Sequence, residues 1–285
     1  MSAPSQPAGL VDPAWLAAHL DDPAVRLIEI AGLGQEQEKQ AYNAGHIPGA
    51  ICWEWKSTLW DSHARDFPTP EEFARRLGEA GIGNETTVVF YGEPVQFGIY
   101  AWWTFMYCGH RNVKVLDGAR YRWQAEGRPL TTDVPPARSP TTYRSVERDE
   151  RMRIGRDDVL AALGNAGQVI LDGRSREEYT GQRVGVPGNP DVGALRYGRI
   201  PGAKHLMFED LLESDKRFKS TEEVRSAVEA RGAGEATAVI AYCRMSHRAT
   251  VIYFALTQIL GYGKVRVYDG SWTEWGNLVG VPVER

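Results

Sequence analysis

Gly45-His46-Ile47-Pro48-Gly49-Ala50 recurs as Gly198-Arg199-Ile200-Pro201-Gly202-Ala203. Further out, Val113-Lys114-Val115-Leu116-Asp117-Gly118 recurs as Val265-Arg266-Val267-Tyr268-Asp269-Gly270. An aromatic pair follows each, Tyr121 and Trp123 in the first half and Trp272 and Trp275 in the second. The stretch from Thr86 to Tyr91 returns as Ala236 to Tyr242. Anchors that return in the same order at a near-constant offset mean two copies of one fold, each of ordinary domain length.

Each copy opens on a helix. Asp12 caps the first, with Pro13 at its first helical position, and Arg156-Asp157-Asp158-Val159-Leu160 is its counterpart. Short apolar strands follow, Val25 to Ile30 and Val169 to Leu171. Then come the Ile-Pro-Gly-Ala element, a helix (Pro70 to Ala80; Thr221 to Ala230) and a further strand. Short apolar strands alternating with helices predict an α/β fold, a parallel sheet with helices on both faces, in each copy. The expected boundaries are residues 10–126 for the first domain and 151–285 for the second. Residues 127–150 are rich in Pro, Thr, Arg and Glu without apolar periodicity and read as a linker.

The chain has 285 residues, enough for two such domains, and its 42% hydrophobic and 25% charged content is that of a globular protein. A net charge of −4 argues against general binding to nucleic acid or anionic membranes. No apolar run is long enough to span a bilayer. The N-terminal stretch lacks the basic start and apolar core of a signal peptide. Three cysteines, Cys52, Cys108 and Cys243, make no disulfide framework, so a cytoplasmic location is expected. No paired cysteine–histidine spacing indicates a metal, and no glycine-rich phosphate loop indicates a nucleotide cofactor.

The chemistry concentrates in Cys243-Arg244-Met245-Ser246-His247-Arg248. The run Ala238 to Tyr242 reads as a buried strand ending at the cysteine. Arg248 to Leu260 reads as a helix stopped by Gly261 and Gly263. Cys243 therefore sits on a short loop facing a helix N-terminus, with its partial positive charge and unpaired N–H groups. Two arginines and a histidine add cations, and such surroundings favour thiolate over thiol. An inert core cysteine is the bland alternative, but burying that much charge without an anion to bind would be costly.

The copies differ at this point. Aligning Tyr91 with Tyr242 sets Gly92 opposite Cys243, and Gly92-Glu93-Pro94-Val95-Gln96-Phe97-Gly98 has neither thiol nor cation. The first copy ends its early strand Glu29-Ile30-Ala31 where the second has Asp172-Gly173-Arg174. Chemistry is expected in the second copy alone. Cys52 and Cys108 lie among aromatic residues and are expected to be buried and inert.

The chain resembles the tandem-domain rhodaneses, the thiosulfate and 3-mercaptopyruvate sulfurtransferases, from about Leu10 to Val283. The two Ile-Pro-Gly-Ala elements, the cysteine loop in one half only, and Tyr268-Asp269-Gly270-Ser271-Trp272-Thr273-Glu274-Trp275 carry the resemblance. It implies an inactive first and a catalytic second rhodanese domain, with Cys243 taking up sulfane sulfur as a persulfide. It implies a small-molecule donor, a thiophilic acceptor and no cofactor. Arg174, Arg244, Met245, Ser246, His247 and Arg248 would line the substrate site. Arg244 matches the thiosulfate-type pattern, whereas the mercaptopyruvate type has a small residue there. The animal thiosulfate type carries a lysine where this chain has Met245, and His247 with Arg248 resembles a bacterial variant.

Arg248 has a purely structural alternative, fixation to a backbone carbonyl, and Arg174 has another, pairing with Glu177 or Glu178. Asp172 and Asp269 read as satisfying loop N–H groups at strand ends, Trp272 and Trp275 as packing, and His247 as loop electrostatics. Two other functions compete. Cysteine phosphatases place five residues between cysteine and arginine, one more than separates Cys243 from Arg248. A non-catalytic binding module would account for the first copy but not for the cations around Cys243.

Overall fold

The computed structural model describes residues 7–32, 35–185 and 193–285. They form two compact units, one of Met1–Asp149 with Ser214–Arg217, the other of Glu150–Glu213 with Phe218–Arg285. In the first, chain order runs β1 (Leu10–Val11), α1 (Pro13–Ala18), β2 (Val25–Ala31), α2 (Gln35–Ala44), β3 (Ile51–Glu54) and α3 (Trp55–Leu59). It continues with α4 (Pro70–Glu79), β4 (Thr87–Glu93), α5 (Gln96–Tyr107), β5 (Val113–Leu116) and α6 (Ala119–Ala125). The strands form one sheet in the order β1-β5-β4-β2-β3, every pair parallel.

The second unit repeats the plan. Its elements are β6 (Arg153–Ile154), α7 (Arg156–Ala162), β7 (Gln168–Asp172), α8 (Arg176–Tyr179) and β8 (Lys204–His205). They continue with α9 (Thr221–Glu229), β9 (Ala238–Tyr242), α10 (His247–Phe254), β10 (Val265–Tyr268) and α11 (Ser271–Trp275). The sheet order is β6-β10-β9-β7-β8, again all parallel. Every residue of β2 is buried, so side chains on both faces of the sheet are covered, as a parallel sheet requires. Asp12 caps α1 as its sequence predicts, accepting from the Trp15 N–H at 2.7 Å. Among the described residues no helix is long and apolar enough to cross a membrane.

The repeated motif has one geometry in both units. Ala50 N–H donates to Ile47 O and Ala203 N–H to Ile200 O, each at 3.1 Å, closing a four-residue turn. Proline stands second, and the third position has positive φ, +80° at Gly49 and +76° at Gly202, where only glycine is unstrained. Both isoleucines are fully buried, and a tyrosine near the end of the strand before each loop accepts their N–H at 3.2 Å: Tyr91 from Ile47, Tyr242 from Ile200. The alignment of Tyr91 with Tyr242 thus rests on a shared hydrogen bond.

Two expectations need adjustment. His46 pairs with Thr131 in an antiparallel bridge, and Arg199 pairs with Glu284 in the same way at the same sequence offset. Thr131 belongs to the repeated fold. The segment read as linker belongs to the first unit as far as Asp149, with Thr141 N–H donating to Gly78 O and Arg144 N–H to Asn84 Oδ1. The helix expected over Arg248 to Leu260 starts one residue earlier and widens to π geometry over Ala255–Ile259, with Leu260 N–H reaching back five residues to Ala255 O.

Candidate active site

Cys243 follows β9 directly and is 1% exposed. The strand end beneath it is fixed by Tyr242, whose hydroxyl donates to Asp172 Oδ2. The loop is then held from the corner between β10 and α11. Cys243 N–H donates to Ser271 Oγ at 3.1 Å, and Cys243 O accepts from Trp272 N–H at 3.0 Å. Arg244 O accepts from both Thr273 N–H (3.0 Å) and Thr273 Oγ1 (2.7 Å). Ser246 adopts φ +71° and puts its hydroxyl 2.6 Å from Asp269 O and 2.7 Å from Asp269 Oδ1. Asp269 also pairs with Arg153 at 3.2 Å.

These anchors tie down the loop's carbonyls. Among the described residues, the backbone N–H groups of Arg244, Met245, Ser246, Arg248 and Ala249 donate to no protein acceptor. Thr250 is the first whose N–H reaches back to the loop's end, at Ser246 O. Five uncommitted donors therefore lie among the six residues after the cysteine, at the head of α10, an arrangement suited to an anion.

The three arginines play three parts. Arg248 forms a two-pronged ion pair with Glu178, at 2.7 and 2.9 Å. Glu178 is fully buried and also accepts from Ser175 N–H, as half of the capping box that starts α8. Burial pushes the Glu178 carboxyl up, but the hydrogen bonds and charge of Arg248 outweigh it and hold the group down at about 2. Burial likewise works against the charge on Arg248, and Glu178 more than restores it. Arg248 is fixed, as the structural alternative required, but to a carboxylate.

Arg174 stands apart from its expected role. It is fully buried, forks onto Asp172 at 2.7 to 3.1 Å, donates to Gly198 O at 2.8 Å and lies 4.5 Å from the Trp272 ring centroid. Its guanidinium ties the end of β7 to the second Ile-Pro-Gly-Ala turn. The structural alternative, pairing with Glu177 or Glu178, is not the one it takes: the fork goes to Asp172, and Nη1 is buried without an acceptor. Asp172 also accepts Arg174 N–H at 3.0 Å, the loop-satisfying task read for it.

Arg244 is the third. It is half-buried, pairs with no carboxylate among the described residues, and keeps Nε and Nη1 buried without an acceptor. Burial pulls its pKa down, the nearby Arg248 adds to this, and it falls to about 10. Met245 is half-buried, and its carbonyl accepts from His247 N–H at 3.0 Å. His247 is buried in the first turn of α10. Trp272 and Trp275 are fully buried core residues, as read.

Sequence reasoning offered Glu178 to Arg174 rather than to Arg248, and gave Ser271 and Thr273 no role of their own. Glu178 had a signal, because Ser175-Arg176-Glu177-Glu178 has the spacing of a capping box. Ser271 and Thr273 had none, since only the fold brings α11 to the cysteine loop. In the first unit the corresponding loop is closed. A Cβ at Gly92 would overlap Gly98 N and come within 2.8 Å of Pro94 O. Cys108 is buried as expected, whereas Cys52 is half-buried because it lies on edge strand β3.

The profile of the rhodanese-like domain matches twice, over residues 12–126 and 156–278. The chain is 42% identical to the sulfur carrier protein TtuD of Thermus thermophilus, over 99% of this chain and 98% of that one. It is 41% identical to SseA of Mycobacterium tuberculosis, provisionally named a thiosulfate sulfurtransferase, over 99% and 93%. Among solved structures, the anaerobic ergothioneine biosynthesis enzyme from Chlorobium limicola superposes with a TM-score of 0.84 at 25% identity, covering 97% of this chain and 70% of that one. YnjE superposes at 0.82 with 24% identity, covering 97% and 69%, a likeness of fold alone. Matched in both halves and almost from end to end, the chain belongs to the rhodanese-like family, in its tandem two-domain form.

Proposed function

We propose that the chain is a sulfurtransferase that moves sulfane sulfur from thiosulfate to cyanide or a thiol acceptor through a persulfide on Cys243, in its second domain. One observation carries the reading: Cys243 opens a loop with five uncommitted N–H groups, next to an arginine that pairs with no carboxylate among the described residues. Relatives named for thiosulfate sulfurtransferase activity and for sulfur carrying support it.

In the first step the Cys243 thiolate attacks the outer sulfur of thiosulfate. An S–S bond forms, the bond to the sulfonate sulfur breaks, and sulfite leaves with the electron pair. The product, Cys243–S–S⁻, carries its charge on the terminal sulfur. The loop N–H groups are held in advance by Ser271, Thr273 and Asp269, so they meet that charge without reorganising. Arg244 takes the sulfonate oxygens, for which a guanidinium fork is suited. In the second step cyanide or an acceptor thiolate attacks the terminal sulfur and the Cys243 thiolate is restored. Arg174 and Arg248 hold the frame. No cofactor enters the cycle, and a reducing, cytoplasmic compartment suits its thiol chemistry.

3-Mercaptopyruvate, the alternative donor, is a monoanion, whereas an uncompensated Arg244 favours a dianion. Phosphatase chemistry is disfavoured because Arg248, the cation a phosphate would need, is occupied by Glu178. The test is thiocyanate formation from thiosulfate and cyanide, with mass spectrometry of the intact protein after thiosulfate alone. Thiocyanate and one added sulfur atom are expected. Absence of both would overturn the reading.

A further inference from the structure

Just before α10 the chain reverses over three residues. Met245 O accepts from His247 N–H at 3.0 Å, and Ser246 between them has φ +71° and ψ −30°. A bond from residue i to residue i+2 around a positive φ is a γ-turn of the rarer, strained hand. A residue with a Cβ adopts it at a cost that glycine does not bear. Ser246 is fully buried, and its groups tie the turn to two elements. Its carbonyl accepts from Thr250 N–H at 2.9 Å, the first bond of α10. Its hydroxyl lies 2.6 Å from Asp269 O and 2.7 Å from Asp269 Oδ1, so its proton finds an acceptor on either side at the end of β10.

The duplication separates strain that comes with the fold from strain that comes with the site. Ser271 has φ +52°, and its counterpart in the first unit, Ala119, has φ +48°. That strain is shared and belongs to the fold. Val95 stands opposite Ser246, at the offset that sets Gly92 opposite Cys243, and its φ of −51° and ψ of −37° are ordinary helical values. Asp117, opposite Asp269, takes Arg122 at 3.1 Å. The γ-turn is therefore a property of the copy that carries the thiol. Strain kept in one copy, where the other shows that the fold does not need it, points to function.

Peptide planarity says what the turn does. In a trans peptide the C=O and the next N–H point opposite ways, so a pinned carbonyl fixes the direction of the following donor. Cys243 O is pinned by Trp272 N–H, Arg244 O by Thr273, and Met245 O by the turn itself. The N–H groups of Arg244, Met245 and Ser246 are thereby each turned away from a committed carbonyl. We propose that Ser246 is a positioning residue for sulfur transfer: its hydroxyl, held by Asp269, keeps the loop in the strained turn and so aims these N–H groups at the terminal sulfur of the Cys243 persulfide. The inference rests on the sulfurtransferase reading and deepens it. Released from Asp269, the turn relaxes and the donors lose their common aim.

The experiment compares wild type, Ser246→Gly and Ser246→Ala, each below its own melting temperature. Glycine accepts the positive φ without strain but lacks the hydroxyl; alanine lacks the hydroxyl and keeps the strain. Persulfide formation from thiosulfate is followed by rapid quench and mass spectrometry. The loaded protein is then titrated with sulfite at fixed thiosulfate. Sulfite attacks the terminal sulfur, thiosulfate leaves with it, and the Cys243 thiolate is restored, so the midpoint reads the stability of the persulfide. Ser246→Gly should melt close to wild type yet load about tenfold more slowly or worse at saturating thiosulfate. Its sulfite midpoint should fall by about the same factor, while the thiosulfate concentration for half-maximal rate changes less than about threefold. Ser246→Ala should load no faster and melt lower. Wild-type loading and midpoint in Ser246→Gly would overturn the proposal, because Ser246 would then contribute only to stability. So would a loss confined to Ser246→Ala. Either result leaves the sulfurtransferase reading standing. If wild type itself takes up no sulfur from thiosulfate, that reading falls, and this inference with it.

Discussion

Replacing Glu178 with glutamine removes a charge without changing the shape of the side chain, and the structure permits its cost to be reached in two ways. Glu178 is fully buried and Arg248 is 13% exposed. Breaking a buried pair from one side costs about 3–5 kcal/mol, because the surviving charge has no counterion. The second route is proton linkage. The carboxyl is held at about 2 in the fold, against 4.5 for an unperturbed glutamate. That difference corresponds to about 3 kcal/mol of stability. The sign follows from the direction of the shift. A carboxylate whose pKa is depressed by folding stabilises the fold above its unfolded value, and the contribution drains away as pH falls from 4.5 toward 2. Urea unfolding of wild type and Glu178→Gln, followed by circular dichroism across this range, isolates the group, because other carboxylates are common to both chains. The second unit of the variant should be less stable by about 3 kcal/mol at pH 7. The gap should narrow below pH 4.5 and close near pH 2. Thiosulfate kcat/KM should also fall, since a released Arg248 no longer shapes the loop. A gap below about 1 kcal/mol at pH 7, or one constant down to pH 2, would refute the reasoning, because a surface pair gives no more.

Cys243→Ala should fold normally and take up no sulfur from thiosulfate by intact-mass analysis; an added sulfur in that variant would put the nucleophile elsewhere. Cys52→Ser and Cys108→Ser should keep their transfer rates, with any loss traceable to a lowered melting temperature; a stable variant of either with no activity would contradict this. Arg244→Gly should lower the thiosulfate-to-mercaptopyruvate ratio of kcat/KM by about tenfold to a hundredfold, the worth of one charge-assisted hydrogen bond. A ratio indifferent to that substitution, or a wild-type ratio favouring mercaptopyruvate, would sink the donor assignment while leaving the reaction class standing.

Much of the fold was legible because its signals are local. Asp12 before Pro13, the apolar run Ala238 to Tyr242, and a proline–glycine pair that must turn each have one physical meaning within a few residues. The duplication added what local signals lack, since a pattern occurring twice in the same order has to be a fold. What was missed depends on contacts far apart in sequence. The bridge of His46 to Thr131 joins a turn to a stretch with no periodicity of its own. The same holds for Ser271 and Thr273, which hold the cysteine loop from about thirty residues away.

The arginines show why residue type alone does not identify a binding site. Arg174, Arg244 and Arg248 read alike in sequence as cations near a nucleophile. Buried carboxylates separate them. Asp172 takes Arg174, and the pair lies within two residues, so this assignment could have been made from Asp172-Gly173-Arg174. Glu178 takes Arg248 across seventy residues, which only the fold brings about. Among the described residues no carboxylate pairs with Arg244. A buried charge has to be matched, and where the chain supplies no counterion the match is left to a ligand. The first unit illustrates the converse. Glu29, opposite Tyr91 as Asp172 is opposite Tyr242, takes Arg120 from α6 at 3.0 Å. The loop there closes on Gly92 and Gly98 and presents no cation of its own. One fold thus carries two different loops, and among the described residues only the second sets a thiol beside a half-buried guanidinium that pairs with no carboxylate.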